Sequence, residues 1–231
     1  MENTLAQRYV DLQRKIAQSA VAINRLPEHI CLIAVSKTFP ACDIQALYDL
    51  GQRHFGENYI QEWQEKVFRL PESIVWHIIG DIQSNKTRLV AENAHWVHTL
   101  SREKIAKRLS SQRPSDLPPL QVCVEVNISG EAQKHGLAAG EVLEFCRYIK
   151  TLPQLNLRGL MAVPSDADEI TVRQQMQKMH ALFISLNNQG LKLDTLSMGM
   201  SGDWQWAVEY GATHIRIGSA LFGKRNYVQK P

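Results

Sequence analysis

Short runs of branched apolar residues alternate along the chain with amphipathic stretches, and the order of the two persists from one end to the other. Leu5, Tyr9, Leu12, Ile16 and Ile23 recur at helical spacing with polar residues between them, which predicts a leading amphipathic helix. Residues 30–35, apolar throughout and bounded by Pro27 and Pro40, predict a strand buried on both faces. A helix over 42–50 (Ile44, Leu47, Tyr48) stops at Gly51 and is followed by a short strand and turn over 53–58. The pattern goes on as helix 60–70, strand 74–80, a helix through Lys86, Leu89 and Val90, strand 96–99 and helix 102–111. Residues 112–119 hold three prolines, yet the alternation continues in phase beyond them, so they read as a loop and not as a domain linker.

The second half keeps the same order. Residues 120–127 alternate strictly, with Val122, Val124 and Val126 on one face and Cys123, Glu125 and Asn127 on the other; in a closed barrel the valines face the helices and the other row faces the lumen. Helix 140–148 and strand 155–161 follow. Val172, Met176, Met179, Phe183 and Leu186 then mark a long helix ending near Gly190, and its methionine stripe reads as core. Strand 193–197, helix 204–210 and strand 214–217 complete the series. Uninterrupted β-then-α order calls for parallel strands with right-handed crossovers. About eight strands and about eight helices fit an α/β fold of one (β/α)8 barrel with an extra N-terminal helix, a fold that takes on the order of 250 residues. A single domain over 1–231 is expected, because nothing remains for a second. A doubly wound sheet is the alternative, but the first strand lacks a G-x-G-x-x-G turn and no P-loop occurs.

Composition narrows the function. A hydrophobic content of 44% supports a sizeable core, and a formal charge of +3 with no basic block interleaved with aromatics argues against nucleic acid as the main partner. Cys31, Cys42, Cys123 and Cys146 form no CxxC pair and read as reduced thiols of a cytoplasmic protein. Residues 1–5 open no apolar leader and no run approaches the length of a membrane span.

Candidate chemistry lies where strands end. Lys37 follows the first apolar run; a lysine with a partly dry stem disfavours its ammonium form and can attack a carbonyl, whereas one that snorkels to water has no such role. In barrels the loops after strands seven and eight commonly grip phosphate. Here those loops are residues 197–203, with Gly199, Ser201 and Gly202, and residues 218–220, with Gly218 and Ser219, close behind Arg216. Each alone fits a capped turn as well as an anion cradle. Together, a strand-end amine and a two-loop phosphate cup are what pyridoxal 5′-phosphate (PLP) requires.

The segments 35–38, 55–59, 76–80 with 83–86, 159–161, 197–201, and 216–218 with 222–225 resemble, in order and across nearly the whole chain, the pyridoxal phosphate homeostasis protein family, itself similar to the barrel of alanine racemase. The resemblance implies that Lys37 carries PLP as a Schiff base, that Ser201, Gly218 and Ser219 hold its phosphate, that Asn58 lies beside the ring and that Arg216 faces the ring nitrogen. It also implies cofactor release or transfer by Glu131 and Lys134, for which solvated loop charges are the alternative. Phe39 departs from the pattern, since many members carry a second lysine there.

Two functions compete: a monomeric carrier that serves vitamin B6 homeostasis and delivers PLP to apo-enzymes through transient contact, and a PLP-dependent amino-acid racemase. Racemisation needs a base on each face of the α-carbon, and nothing in the sequence places Tyr59 or His77 opposite Lys37, so the carrier is favoured and no catalytic residue is assigned. A metal-dependent hydrolase using some of His54, His77, His95, His98 and His214 is a weaker third reading; His95 and His98 fall on opposite faces of one strand, and no carboxylate pair accompanies them.

Overall fold

The computed structural model describes residues 4–223; Met1 of the N-terminal reading, Lys224 and Arg225 of the last matched segment, and Pro231 lie outside the described residues. The chain opens with helix α1 (Leu5–Ala22), started by Thr4, whose Oγ1 accepts from the Gln7 N–H at 3.2 Å. Tyr9, Leu12, Ile16 and Ala20 form its buried stripe. Strand and helix then alternate as β1 (Cys31–Val35), α2 (Ala41–Asp49), β2 (His54–Glu57), α3 (Ile60–Val67), β3 (Val75–Ile78), α4 (Thr87–Asn93), β4 (Trp96–Leu100), α5 (Glu103–Gln112), β5 (Leu120–Glu125), α6 (Val142–Lys150), β6 (Leu155–Met161), α7 (Glu169–Asn188), β7 (Thr195–Ser197), α8 (Trp204–Glu209), β8 (His214–Ile217) and a last short helix, α9 (Ser219–Phe222). The strands close in sequence order into a parallel barrel, with β8 pairing back to β1 from Cys31↔His214 to Ala34↔Ile217. This is the (β/α)8 fold that the alternation predicts. Among the described residues no helix is long and apolar enough to cross a membrane.

Differences from the sequence reading have local causes. β5 stops at Glu125, two residues early, because the Asn127 side chain turns away to organise the following loop: Nδ2 donates to the Glu131 carbonyl at 2.8 Å and Oδ1 accepts from the Gly130 N–H at 3.0 Å. Asn127 is therefore not a lumen residue. β7 begins only at Thr195, since Leu193 is gripped by Asn187 through its N–H (2.5 Å) and its carbonyl (2.9 Å). α7 starts at Glu169, earlier than its apolar stripe, with Asp168 as its cap, whose Oδ1 accepts from the Thr171 N–H at 3.0 Å. The short helix α9 has no counterpart in the predicted elements. It is tied to α1 by Arg8, which donates to the Leu221 carbonyl at 2.7 Å and the Phe222 carbonyl at 3.0 Å.

The strands present two unlike faces. Outward residues, among them Val122, Val124 and Val126, join the helices in one continuous apolar core. The lumen holds a small apolar group of Trp96, Cys123 and Met161 and, beside it, buried His77, His98, Ser197 and Arg216. The four cysteines are free: Cys123 and Cys146 are buried, and burial pushes the Cys31 and Cys146 thiols up to about 12, so these two are inert packing groups at neutral pH.

Burial pulls His77 and His98 well below the usual histidine range and His214 down to about 4, with His54 and His95 lowered by the same cause. These groups stay neutral in the fold but take up protons near pH ~6.5 once unfolded, so their contribution is intact above that pH and is lost as pH falls towards ~4. Unfolding free energies from urea titrations between pH 7 and 4.5 should therefore fall steeply, by up to about 1.4 kcal/mol per pH unit for each buried histidine, with a shallower slope in His214→Gln. A flat profile over that window would mean that the lumen histidines are hydrated.

Candidate functional site

At the carboxyl rim, β1 runs into a tight corner that presents Lys37. Lys37 lies two residues beyond the last strand residue, Val35, in a turn where Thr38 adopts a left-handed backbone (φ 69°) that β-branched residues avoid. A buried polar cluster holds that corner from both sides. Ser36 Oγ donates to Glu57 Oε1 at 2.7 Å; Lys66 Nζ, from α3, donates to the Ser36 carbonyl (3.0 Å), Glu57 Oε1 (2.8 Å) and Glu62 Oε1 (2.5 Å); and the Thr38 N–H donates to Glu62 Oε1 at 2.6 Å. Glu57 is fully buried at the end of β2, and burial raises its pKa against the opposing pull of Lys66 and Ser36. The residues on either side of Lys37 are thus pinned, and Lys37 lines a cavity at this rim.

That cavity, about 300 Å³, is completed by the loops after β7 and β8. Gly199 turns the first loop at φ 97°, and a Cβ there would sit 2.6 Å from Ala207 Cβ, so only glycine fits. Asp203 Oδ1 accepts from the Met200 N–H at 2.5 Å and fixes the rest of the loop. Ser201 Oγ accepts from the Ala220 N–H at 3.2 Å, which joins the two loops and leaves the hydroxyl hydrogen to donate elsewhere. Asn58 enters from the end of β2; Gly80 packs directly on its carbonyl, where a Cβ would overlap.

Arg216 forms the floor. It is 4% exposed, donates from Nη1 to Ser197 Oγ at 2.8 Å and from Nη2 to the Ala162 carbonyl at 2.9 Å, and among the described residues has no carboxylate in ion-pair reach. Burial lowers it to about 10, with Asp203 and Glu125 opposing, so it keeps its charge at neutral pH. The structure brings Lys37, Asn58, Ser201, Arg216, Gly218 and Ser219 onto one cavity, with Val35, Ile79, Val163 and Met200 as apolar walls.

Glu131 and Lys134 lie elsewhere, on a neighbouring cavity of about 780 Å³ that shares Val163, Met200 and Gly202 with the first. They are paired at 3.0 Å and Lys134 Nζ also donates to the Pro164 carbonyl at 2.9 Å, with both side chains partly exposed; Lys134 holds the Glu131 carboxyl below the usual range. Tyr59 is 56% exposed and lines, with Lys86, an adjoining concavity that shares Asn58 with the first. His77 lies in the lumen with both ring nitrogens engaged by other histidines. Phe39 stacks on Phe222 with ring centroids 4.6 Å apart, so the position that departs from the family pattern packs the Lys37 loop against α9. Among the described residues no group of three or more His, Cys, Asp or Glu side chains is placed to hold a metal ion. Sequence reasoning missed Glu57, Glu62, Lys66 and Ser197. A carboxylate ending the run Phe55-Gly56-Glu57 and an i,i+4 Glu62–Lys66 pair were the available signals.

These features place the chain in the class of alanine racemase-type barrels: the family Alanine racemase, N-terminal domain, matches residues 10–226, and the alanine racemase of Corynebacterium glutamicum, 14% identical, shares the fold with a TM-score of 0.73 over 98% of this chain and 62% of that one. The pyridoxal phosphate homeostasis protein of Vibrio alginolyticus is 47% identical, over 97% of this chain and 99% of its own. The structure of PipY of Synechococcus elongatus with PLP bound is 32% identical, with a TM-score of 0.81 over 95% of this chain and 100% of that one. The chain belongs to the pyridoxal phosphate homeostasis protein family.

Replacing Lys66 by methionine strands two carboxylates behind the Lys37 corner. Urea unfolding at neutral pH should show a loss of about 3–5 kcal/mol, partly recovered in Glu57→Gln/Lys66→Met. A loss below about 1 kcal/mol would mean that the cluster behaves as a solvated surface network.

Proposed function

We propose that the protein is a carrier that binds PLP, stores its reactive aldehyde on Lys37 as a reversible Schiff base and releases it to apo-enzymes, so serving vitamin B6 homeostasis. The observation that carries this reading is the convergence on one cavity of a lysine, hydroxyl and backbone groups from two adjacent loops, and a buried guanidinium that among the described residues has no carboxylate in ion-pair reach. The residues fit the group. Ser201, Gly218 and Ser219 would offer donors to a phosphate, Asn58 would flank the ring, and Lys37 would supply the amine that holds the aldehyde. Arg216 offers N–H donors to the ring nitrogen. A guanidinium does not give up its proton, so that nitrogen stays unprotonated and the bound ring is a weak electron sink, which suits storage better than carbanion chemistry.

The carrier is favoured over the racemase by what the cavity lacks: among the described residues lining it there is no His, Tyr, Cys, Asp or Glu to serve as a second base. His77 is committed within the lumen and Tyr59 opens onto another concavity. In this reading the chain acts as one domain and as a monomer in a reducing aqueous compartment, and Glu131 and Lys134, beside the shared wall of the two cavities, assist cofactor exit.

Adding PLP to purified protein should produce a visible absorption band that Lys37→Ala lacks. Loaded protein should reactivate a PLP-requiring apo-enzyme in the presence of a scavenger of free PLP, and should racemise alanine no faster than free PLP. Failure to bind would overturn the cofactor assignment; turnover well above the free cofactor would overturn the carrier reading.

A further inference from the structure

The lumen carries a row of polar groups supplied by five strands. Arg216 (β8) reaches Ser197 Oγ (β7) at 2.8 Å; Ser197 Oγ lies 3.0 Å from His98 Nδ1 (β4); His98 Nε2 lies 2.9 Å from His77 Nδ1 (β3); and His77 Nε2 lies 2.9 Å from His54 Nδ1 at the start of β2. β4 and β7 are not neighbours in the sheet, so the Ser197–His98 link crosses the barrel. Trp96 stacks on His77 at 5.6 Å and packs beside His98, which fixes both ring planes.

The direction of this row follows from one end. A guanidinium has no acceptor, so Arg216 donates and Ser197 Oγ accepts. The Ser197 side chain is fully buried and its hydroxyl hydrogen needs an acceptor, and the remaining one within reach among the described residues is His98 Nδ1. His98 must then carry its proton on Nε2 and donate to His77 Nδ1, and His77, likewise protonated on Nε2, donates to His54 Nδ1. Every link points away from Arg216, and each polarises the next.

We infer that Ser197, His98 and His77 are positioning residues for Arg216: a one-directional row of neutral Nε2–H histidines that fixes the guanidinium in the cavity floor and leaves its other N–H donors for the ligand. The inference rests on the PLP-binding reading, but the row itself can be read in cofactor-free protein. With 15N-labelled histidine, NMR of the cofactor-free protein at neutral pH should show His77, His98 and His54 as neutral Nε2–H tautomers. An Nδ1–H or doubly protonated His98 would overturn the inference without reference to any ligand. In Ser197→Ala, His98 should lose its fixed tautomer and PLP should bind roughly tenfold more weakly, as expected when a hydrogen bond to a charged group is lost, while Ser197→Thr restores both. Unchanged PLP affinity and an unchanged His98 spectrum in Ser197→Ala would also overturn it. Absence of PLP binding by the wild type would sink the cofactor reading alone, since the tautomers are recorded without it.

Discussion

A single charge sets the terms for the interior of this barrel. Arg216 sits on the inner face of the last strand, almost wholly out of water and, among the described residues, without a carboxylate in ion-pair reach, though Asp203 and Glu125 act on it from further off. A charge so placed is costly unless its donors are matched. The protein matches part of the set with a serine hydroxyl and a carbonyl. Behind the serine stand histidines that burial keeps neutral. Arg216 also lines the cavity, and in the proposed reading a ligand that brings an acceptor there, with a phosphate to meet the loops after β7 and β8, would complete the set. The polar lumen and the open cup are two consequences of the same buried guanidinium.

The other half of the site depends on strain resisted by burial. Lys37 stands at a corner whose next residue, Thr38, takes a backbone conformation that its side chain disfavours. The corner persists because Glu57, Glu62 and Lys66 grip Ser36 and Thr38 from behind. Phe39, through its stack on Phe222, closes the corner against α9, and α9 is in turn fastened to α1 by Arg8. The amine and the phosphate cup are therefore held to each other across the β1–β8 seam, where the barrel closes.

Much of this was legible in the sequence. Buried parallel strands announce themselves as branched apolar runs and the helices between them by period, so the order of elements and the closed barrel followed from residues such as those at 30–35 and 74–80. Lys37, Ser201, Arg216, Gly218 and Ser219, all on the cavity, stood out because strand ends and Ser-Gly loops are where a barrel works, whereas Asn58 was reached through the family resemblance. What escaped has a common cause: it depends on partners that no local pattern relates. The helix α9 is too short to show a period. Glu57 and Lys66 lie on different elements, and the links between His98, Ser197 and Arg216 join β4, β7 and β8 across the lumen. Asn127 looked like one more member of an alternating strand until its side chain was seen bonded to its own loop.

The assignment of the amine is the claim on which the carrier reading turns. Borohydride reduction of the PLP-loaded protein, followed by digestion and mass spectrometry of the labelled peptide, tests it most directly. The account predicts a single phosphopyridoxyl group on Lys37. A label on another lysine, Lys134 included, or none at all, would contradict it.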